Sequence, residues 1–193
     1  MKLRLIIAFL FFLTAGYAKA DNCISGDCVN GLGTFEYSNG EKFSGNFKDS
    51  KKEGTGKYSY PDGSVYDGDF KNDVPNGKGI FKLSNGDKYN GNFKKGLYNG
   101  KGKLTKKNGD KLEGKFKNDK IFEGVITFSN GDKYTGSIKD DLPNGYGSMV
   151  YADKSIFIGK WKAGKKEGKG DLFKSQKISS GKWKNDKFQD KSN

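Results

Sequence analysis

The side chains best suited to chemistry are few and stand apart. The 193-residue chain has no histidine, which removes the commonest general base and the commonest metal ligand together. Its two cysteines, Cys23 and Cys28, have no imidazole nearby to complete a zinc set, and their spacing is not the Cys-x-x-Cys of a redox site. In an exported chain they are expected to pair as a disulfide. Asp87, Asp110 and Asp132 each follow a glycine, which raises the idea of a calcium ladder. Their spacing fits neither an EF-hand loop nor the calcium-binding nonapeptide, and solvated turn residues are the plainer reading. Gly-x-Gly recurs, but no helix follows it to cradle a phosphate. No catalytic residues, metal site or cofactor are expected, and the chain reads as something other than an enzyme.

Charge and aromatic rings carry more information. Lys and Arg number 36 against 23 Asp and Glu, a formal net charge of +13, and Arg4 is the sole arginine. Lysine is a point charge without the planar fork that reads guanine or phosphate in two-pronged fashion, so specific nucleic-acid recognition is not expected. Diffuse attraction to anionic lipid or envelope polymer is one option, and a lysine-coated solvated face is the other. Tyr66, Tyr89, Tyr134 and Phe157 fall at equivalent positions of the pattern described next. They are a candidate binding face for stacking a peptide or glycan, or else they fill the inside of the fold.

The elements that position these residues begin with a leader. Lys2 and Arg4 precede an apolar run from Leu5 to Leu13, and Ala18-Lys19-Ala20 offers a small-residue cleavage site. Cleavage between Ala20 and Asp21 is expected, leaving a net charge of +10 on the remainder. The protein is therefore expected to be exported, to the periplasm or medium if the source is bacterial.

Beyond the leader a period dominates. Gly-x-Gly pairs end at Gly33, Gly56, Gly79, Gly102, Gly147 and Gly170, with a degenerate member at Phe122/Gly124, so the spacing is 23 residues, once 22. An aromatic-x-Gly-x-aromatic series runs in step, as in Phe43-Ser44-Gly45-Asn46-Phe47 and Tyr89-Asn90-Gly91-Asn92-Phe93. Both arms alternate with period two, the signature of half-buried strands. Asn39-Gly40, Asp62-Gly63, Asn85-Gly86, Asn108-Gly109 and Asn130-Gly131 lie between the arms, which predicts type I′ hairpin turns there. A lone hairpin cannot offset the entropy of ordering its backbone, so neighbours must stack. About 14 strands at ~4.8 Å each predict a twisted sheet roughly 65 Å long. The last two copies depart from the pattern at Asp153-Lys154 and at Lys174 to Lys177, as capping edges should.

These residues resemble the MORN (membrane occupation and recognition nexus) repeat over 30–184. The resemblance implies consecutive antiparallel hairpins in one elongated sheet with the aromatic side concave. It also implies scaffolding, protein contact, self-association and binding of acidic phospholipid. Phe122 in place of glycine is expected to weaken or bend the ribbon. The resulting reading is all-β: a leader at 1–20, a disulfide cap at 21–30, seven repeats at 31–184 and a polar, fraying tail at 185–193. Its function is that of a non-catalytic scaffold for an unidentified protein partner, or for self-association, in the cell envelope or outside the cell. The alternative is a peripheral binder of anionic lipid or envelope polymer.

Overall fold

The computed structural model describes residues 21–189; the leader and residues 190–193 lie outside the described residues. The described chain is one open antiparallel sheet whose strands follow one another in sequence order. The first half comprises β1 (Asn22–Gly26), β2 (Leu32–Glu36), β3 (Lys42–Lys48), β4 (Lys51–Ser59), β5 (Val65–Lys71), β6 (Val74–Lys82), β7 (Lys88–Lys94) and β8 (Leu97–Thr105). The second comprises β9 (Lys111–Lys117), β10 (Lys120–Thr127), β11 (Lys133–Lys139), β12 (Leu142–Val150), β13 (Ile156–Lys162), β14 (Lys165–Lys174), β15 (Lys177–Lys184) and β16 (Lys187–Gln189).

There are two strands beyond the expected 14. The disulfide segment supplies β1, and the stretch expected to fray supplies β16, which pairs Trp183 with Phe188 across from β15. A tight turn at Asn185-Asp186, both residues left-handed, makes this last return possible.

The hairpin turns differ from expectation in an instructive way. At Asn39-Gly40 and its equivalents only the glycine is left-handed, with φ of +86° at Gly40 and +95° at Gly86. Gly40 donates to the Tyr37 carbonyl and Tyr37 to that of Glu41, so the link is a three-residue loop ending in a left-handed residue, not a type I′ turn. The asparagine is there for its side chain. Asn39 Oδ1 accepts the Glu41 N–H at 3.0 Å, and Asn85, Asn108 and Asn130 do the same for Asp87, Asp110 and Asp132. True two-residue turns with both φ positive lie at the opposite edge, for example Asp49-Ser50, Asn72-Asp73 and Ala163-Gly164. The seventh hairpin also uses one, Ser175-Gln176, which accounts for its missing residue.

A row of glycines crosses the sheet, one from each strand, β1 to β15. It runs from Gly26 opposite Gly33 to Gly170 opposite Gly181, each glycine facing the next. Rings lie over this bare track. A Cβ on Gly56 would stand 2.3 Å from the Phe43 ring, and one on Gly102 2.2 Å from the Tyr89 hydroxyl. Side chains are therefore excluded there by contact.

Beside the row, the Gly-x-Gly strands β4, β6, β8, β12 and β14 each carry two residues more than the preceding strand: Gly45 to Phe47 faces Lys52 to Gly56. The first glycine of the pair turns this bulge, with φ of +73° at Gly54 and +95° at Gly100. At Phe122 the bulge holds a single extra residue, between Ile121 and Glu123. The lost glycine and the 22-residue spacing are thus one event: the shorter bulge needs no left-handed residue, and pairing continues through Gly114 and Gly124.

Candidate functional site

The rings first considered as a binding face are interior. Tyr66 is 1% exposed, and Tyr89, Tyr134 and Phe157 are at 0%, so none offers a surface for stacking. The physical reason is the glycine track, which lets each ring lie flat and be covered by its neighbours. Tyr66 meets Phe70 and Phe93 edge-on, at 5.1 and 4.9 Å between centroids, and Tyr89 meets Phe93 and Phe116 likewise. Their hydroxyls are used up locally. Tyr66 donates to the Asp69 carbonyl, Tyr89 to Asn92 and Tyr134 to Ser137, at 2.8–3.0 Å. Burial pushes the phenols of Tyr89 and Tyr134 up to about 12.

The accessible rings form a second row beside the first, which the repeat pattern alone did not single out. Phe35, Tyr37, Tyr58, Tyr60 and Phe81 are half-buried and consecutive. Their centroids follow at 4.9, 5.9, 4.8 and 5.8 Å. Phe35, Tyr58 and Phe81 face Phe43, Tyr66 and Tyr89 across strand pairs, while Tyr37 and Tyr60 open the three-residue loops. Farther along the same row stand Leu83, Leu104 and Lys106, so the aromatic ladder belongs to the N-terminal repeats. The available signal was its phase: these rings alternate in step with the glycines.

Two lysines are enclosed by rings. Lys52, 8% exposed, holds its Nζ 5.2–5.8 Å from the centroids of Tyr37, Phe43 and Tyr58. It donates to the Tyr37 hydroxyl at 2.9 Å and pairs with Asp73 at 3.3 Å. Lys166 sits likewise among Tyr151, Phe157 and Trp183, and burial depresses its pKa despite the opposing charge of Asp186. The cation–π attraction offsets part of the desolvation cost. The identical strings Lys51-Lys52-Glu53-Gly54 and Lys165-Lys166-Glu167-Gly168 were the sequence signal, and they flank the array at both ends.

The cysteines meet as expected: Cys23 and Cys28 form a disulfide, which fastens edge strand β1. The acidic ladder has a different task from solvation. Asp87, Asp110 and Asp132 each accept a backbone N–H from the next turn, that of Lys107, Ser129 and Ala152, at 2.8–2.9 Å. Their second oxygens accept from the turn asparagines. These carboxylates lace successive turns together. Asp21, at the expected cleavage site, does the same for Ser38.

The opposite face is polar over most of its length but turns apolar near its C-terminal end. Val150, Ile156, Phe173 and Ile178 stand directly opposite one another across β12 to β15, with Ile158 on the same face. Four of the five are 39–65% exposed. Lys133 opposite Val150 and Lys160 opposite Tyr146 flank them.

The comparisons agree with this architecture. The MORN repeat family model matches residues 30–42, 43–65, 66–88, 89–111, 134–156 and 157–174, omitting the copy with the shortened bulge. No curated protein matches the sequence. Among solved structures, the SAS-4 TCP domain of Drosophila melanogaster, in complex with a proline-rich motif of Ana2, superposes with a TM-score of 0.53. It is 12% identical over 95% of this chain and 98% of that one, a likeness of fold. The TCP10 domain of Danio rerio CPAP, in complex with a STIL peptide, is also 12% identical. It covers 76% of this chain and 81% of that one, with a TM-score of 0.40. With six matched repeats in one sheet built on a shared glycine track, the chain belongs to the MORN repeat family.

Proposed function

We propose that this array is a non-catalytic scaffold that holds an extended segment of a protein partner along its ladder of half-buried rings, in the cell envelope or outside the cell. The ladder carries the reading. Five adjoining rings keep part of their faces in solvent although a filled core lies beside them, and exposed aromatic strips of this kind mark interaction surfaces. A TCP domain of the same sheet type, solved with a proline-rich motif of a partner, supports the use of such a sheet as a peptide platform. The location rests on the leader and on the cysteine pair, which suits an oxidising compartment.

Capture of partners from the source's own envelope extract by the purified protein tests this reading. Tyr60→Ser/Phe81→Ser should lose the bound protein while the wild type retains it through added salt. An unchanged set of bound proteins would refute it. A second reading has its own observation: the apolar patch from Val150 to Ile178, flanked by lysines, suits shallow insertion into an anionic lipid surface. Binding to anionic vesicles that collapses in salt and weakens in Phe173→Ser/Ile178→Ser would favour it; no binding at low salt removes it.

A further inference from the structure

The spacing of the ladder selects a ligand geometry, and this step rests on the protein-scaffold reading above. Tyr37 and Tyr60 hold the same place in successive repeats, as do Phe35, Tyr58 and Phe81. One repeat advances the sheet by two strands, about 9.6 Å at ~4.8 Å per strand. A polyproline II helix advances about 9.3 Å in three residues. We infer that the ladder from Phe35 to Phe81 is a track for a basic, proline-rich segment lying across the strands, with one turn of its helix over each repeat.

Charge points the same way. The loops bordering the ladder, 37–41, 60–64 and 83–87, contain one carboxylate each, Glu41, Asp62 and Asp87, and no lysine. The next loop contains Lys106 and Lys107, where the aromatic run has already ended. Loop 128–132 again has one carboxylate, Asp132, and no lysine, so what is particular to the N-terminal repeats is three acidic loops in succession beside adjoining rings, in a chain that is otherwise strongly basic. The rings also hold a cation already: Lys52 enters between Tyr37 and Tyr58 from within the sheet. A ligand cation on the solvent side would meet the same electron-rich faces beside Glu41 and Asp62. Among the described residues the Tyr60 hydroxyl makes no hydrogen bond, while Tyr37 and Tyr58 are engaged with Lys52 and Glu41. It is placed to donate to a carbonyl of a polyproline backbone, whose carbonyls have no internal partners. Proline rings stack on aromatic faces with little entropy to lose, since the helix is preformed.

The test uses the labelled peptide (Pro-Pro-Lys)4 against the purified full chain, read by fluorescence anisotropy, with (Gly-Gly-Lys)4 and (Pro-Pro-Glu)4 as controls. Saturable binding of the first, at least tenfold tighter than either control, is expected. Tyr60→Ala/Phe81→Ala should weaken it at least tenfold, and Tyr60→Phe, which keeps the ring, about threefold. Phe128→Ala/Tyr151→Ala, in the C-terminal repeats, should leave it unchanged, which separates loss of the track from loss of fold. Absence of binding, or equal binding of the glycine peptide, overturns the inference. If the extract partner is still lost in Tyr60→Ser/Phe81→Ser while no polyproline peptide binds, the scaffold reading survives and the ligand geometry does not.

Discussion

The repeats before β9 and those after β10 share a backbone but present opposite faces. In the first group the ring face is open to solvent at Tyr37, Tyr58 and Tyr60, and the other side carries residues such as Ser44, Lys57 and Asp67. In the second the ring face is anchored by Trp161 and Trp183, both buried, and the apolar surface appears on the other side at Val150, Phe173 and Ile178. Between them, Leu112, Ile121 and Ile126 replace rings and the edge-on ring contacts are interrupted. The difference teaches that glycine and ring positions specify the sheet, whereas the positions between them decide which surface is offered to a partner. One ribbon can thereby carry two unlike surfaces.

Alkaline titration should separate the two groups most strongly. Tyr58, Tyr66, Tyr89 and Tyr98 in the first, and Tyr134 and Tyr151 in the second, all have phenols raised above 10.0, chiefly by burial. A raised folded-state value means that stability is intact below pH 10 and is lost as pH climbs through about 12, where Tyr89, Tyr134 and Tyr151 ionise. Four of these phenols lie in the N-terminal repeats against two in the C-terminal ones, so the linked loss of stability is larger there, and tyrosinate absorbance should rise with unfolding of the N-terminal repeats before tryptophan fluorescence reports the C-terminal ones. A single coincident transition would break the comparison.

Gly102→Ala should cost about 3 kcal/mol, because the new methyl would overlap the Tyr89 hydroxyl. Gly170→Ala meets the Phe157 ring, and a matching loss in thermal denaturation would show that the track is equally strict at both ends. Asp73→Ala should cost about 2 kcal/mol, since it leaves enclosed Lys52 without its ion pair and its backbone N–H without an acceptor. Asp186→Ala, which removes the acceptor of the Lys166 N–H and an opposing charge that makes no direct ion pair with its ammonium, should cost about 1 kcal/mol. Equal losses would mean that the two enclosures are equivalent. Reducing Cys23–Cys28 should have the smallest and most local effect: faster amide exchange in β1 and β2, with protection unchanged from β5 onward.

The sheet was legible because the alternation and the glycine spacing leave few other arrangements. Periodicity states which face a ring is on but not how deep it lies, so nothing in the pattern separates Tyr66, which is fully covered, from Tyr58, which is half-covered. The Asn-Gly turns were placed correctly and typed wrongly, since the dipeptide serves two loop geometries and the side-chain bond to Asp87 or Asp110 decides between them. Two-residue turns at the other edge begin with Asn or Asp, as at Asp49-Ser50 and Asn72-Asp73, or end in Gly, as at Ala163-Gly164, but they lie in what read as a connecting stretch. β16 escaped notice because three residues are too few to show alternation.

The facing glycines impose a quantised length on the molecule. An insertion within a strand would move every later ring off its clearing, so the array can grow or shrink only by whole hairpins. The bulge is the exception, a place with slack where a residue can be dropped without disturbing alignment downstream. The copy at Phe122 occupies that allowance.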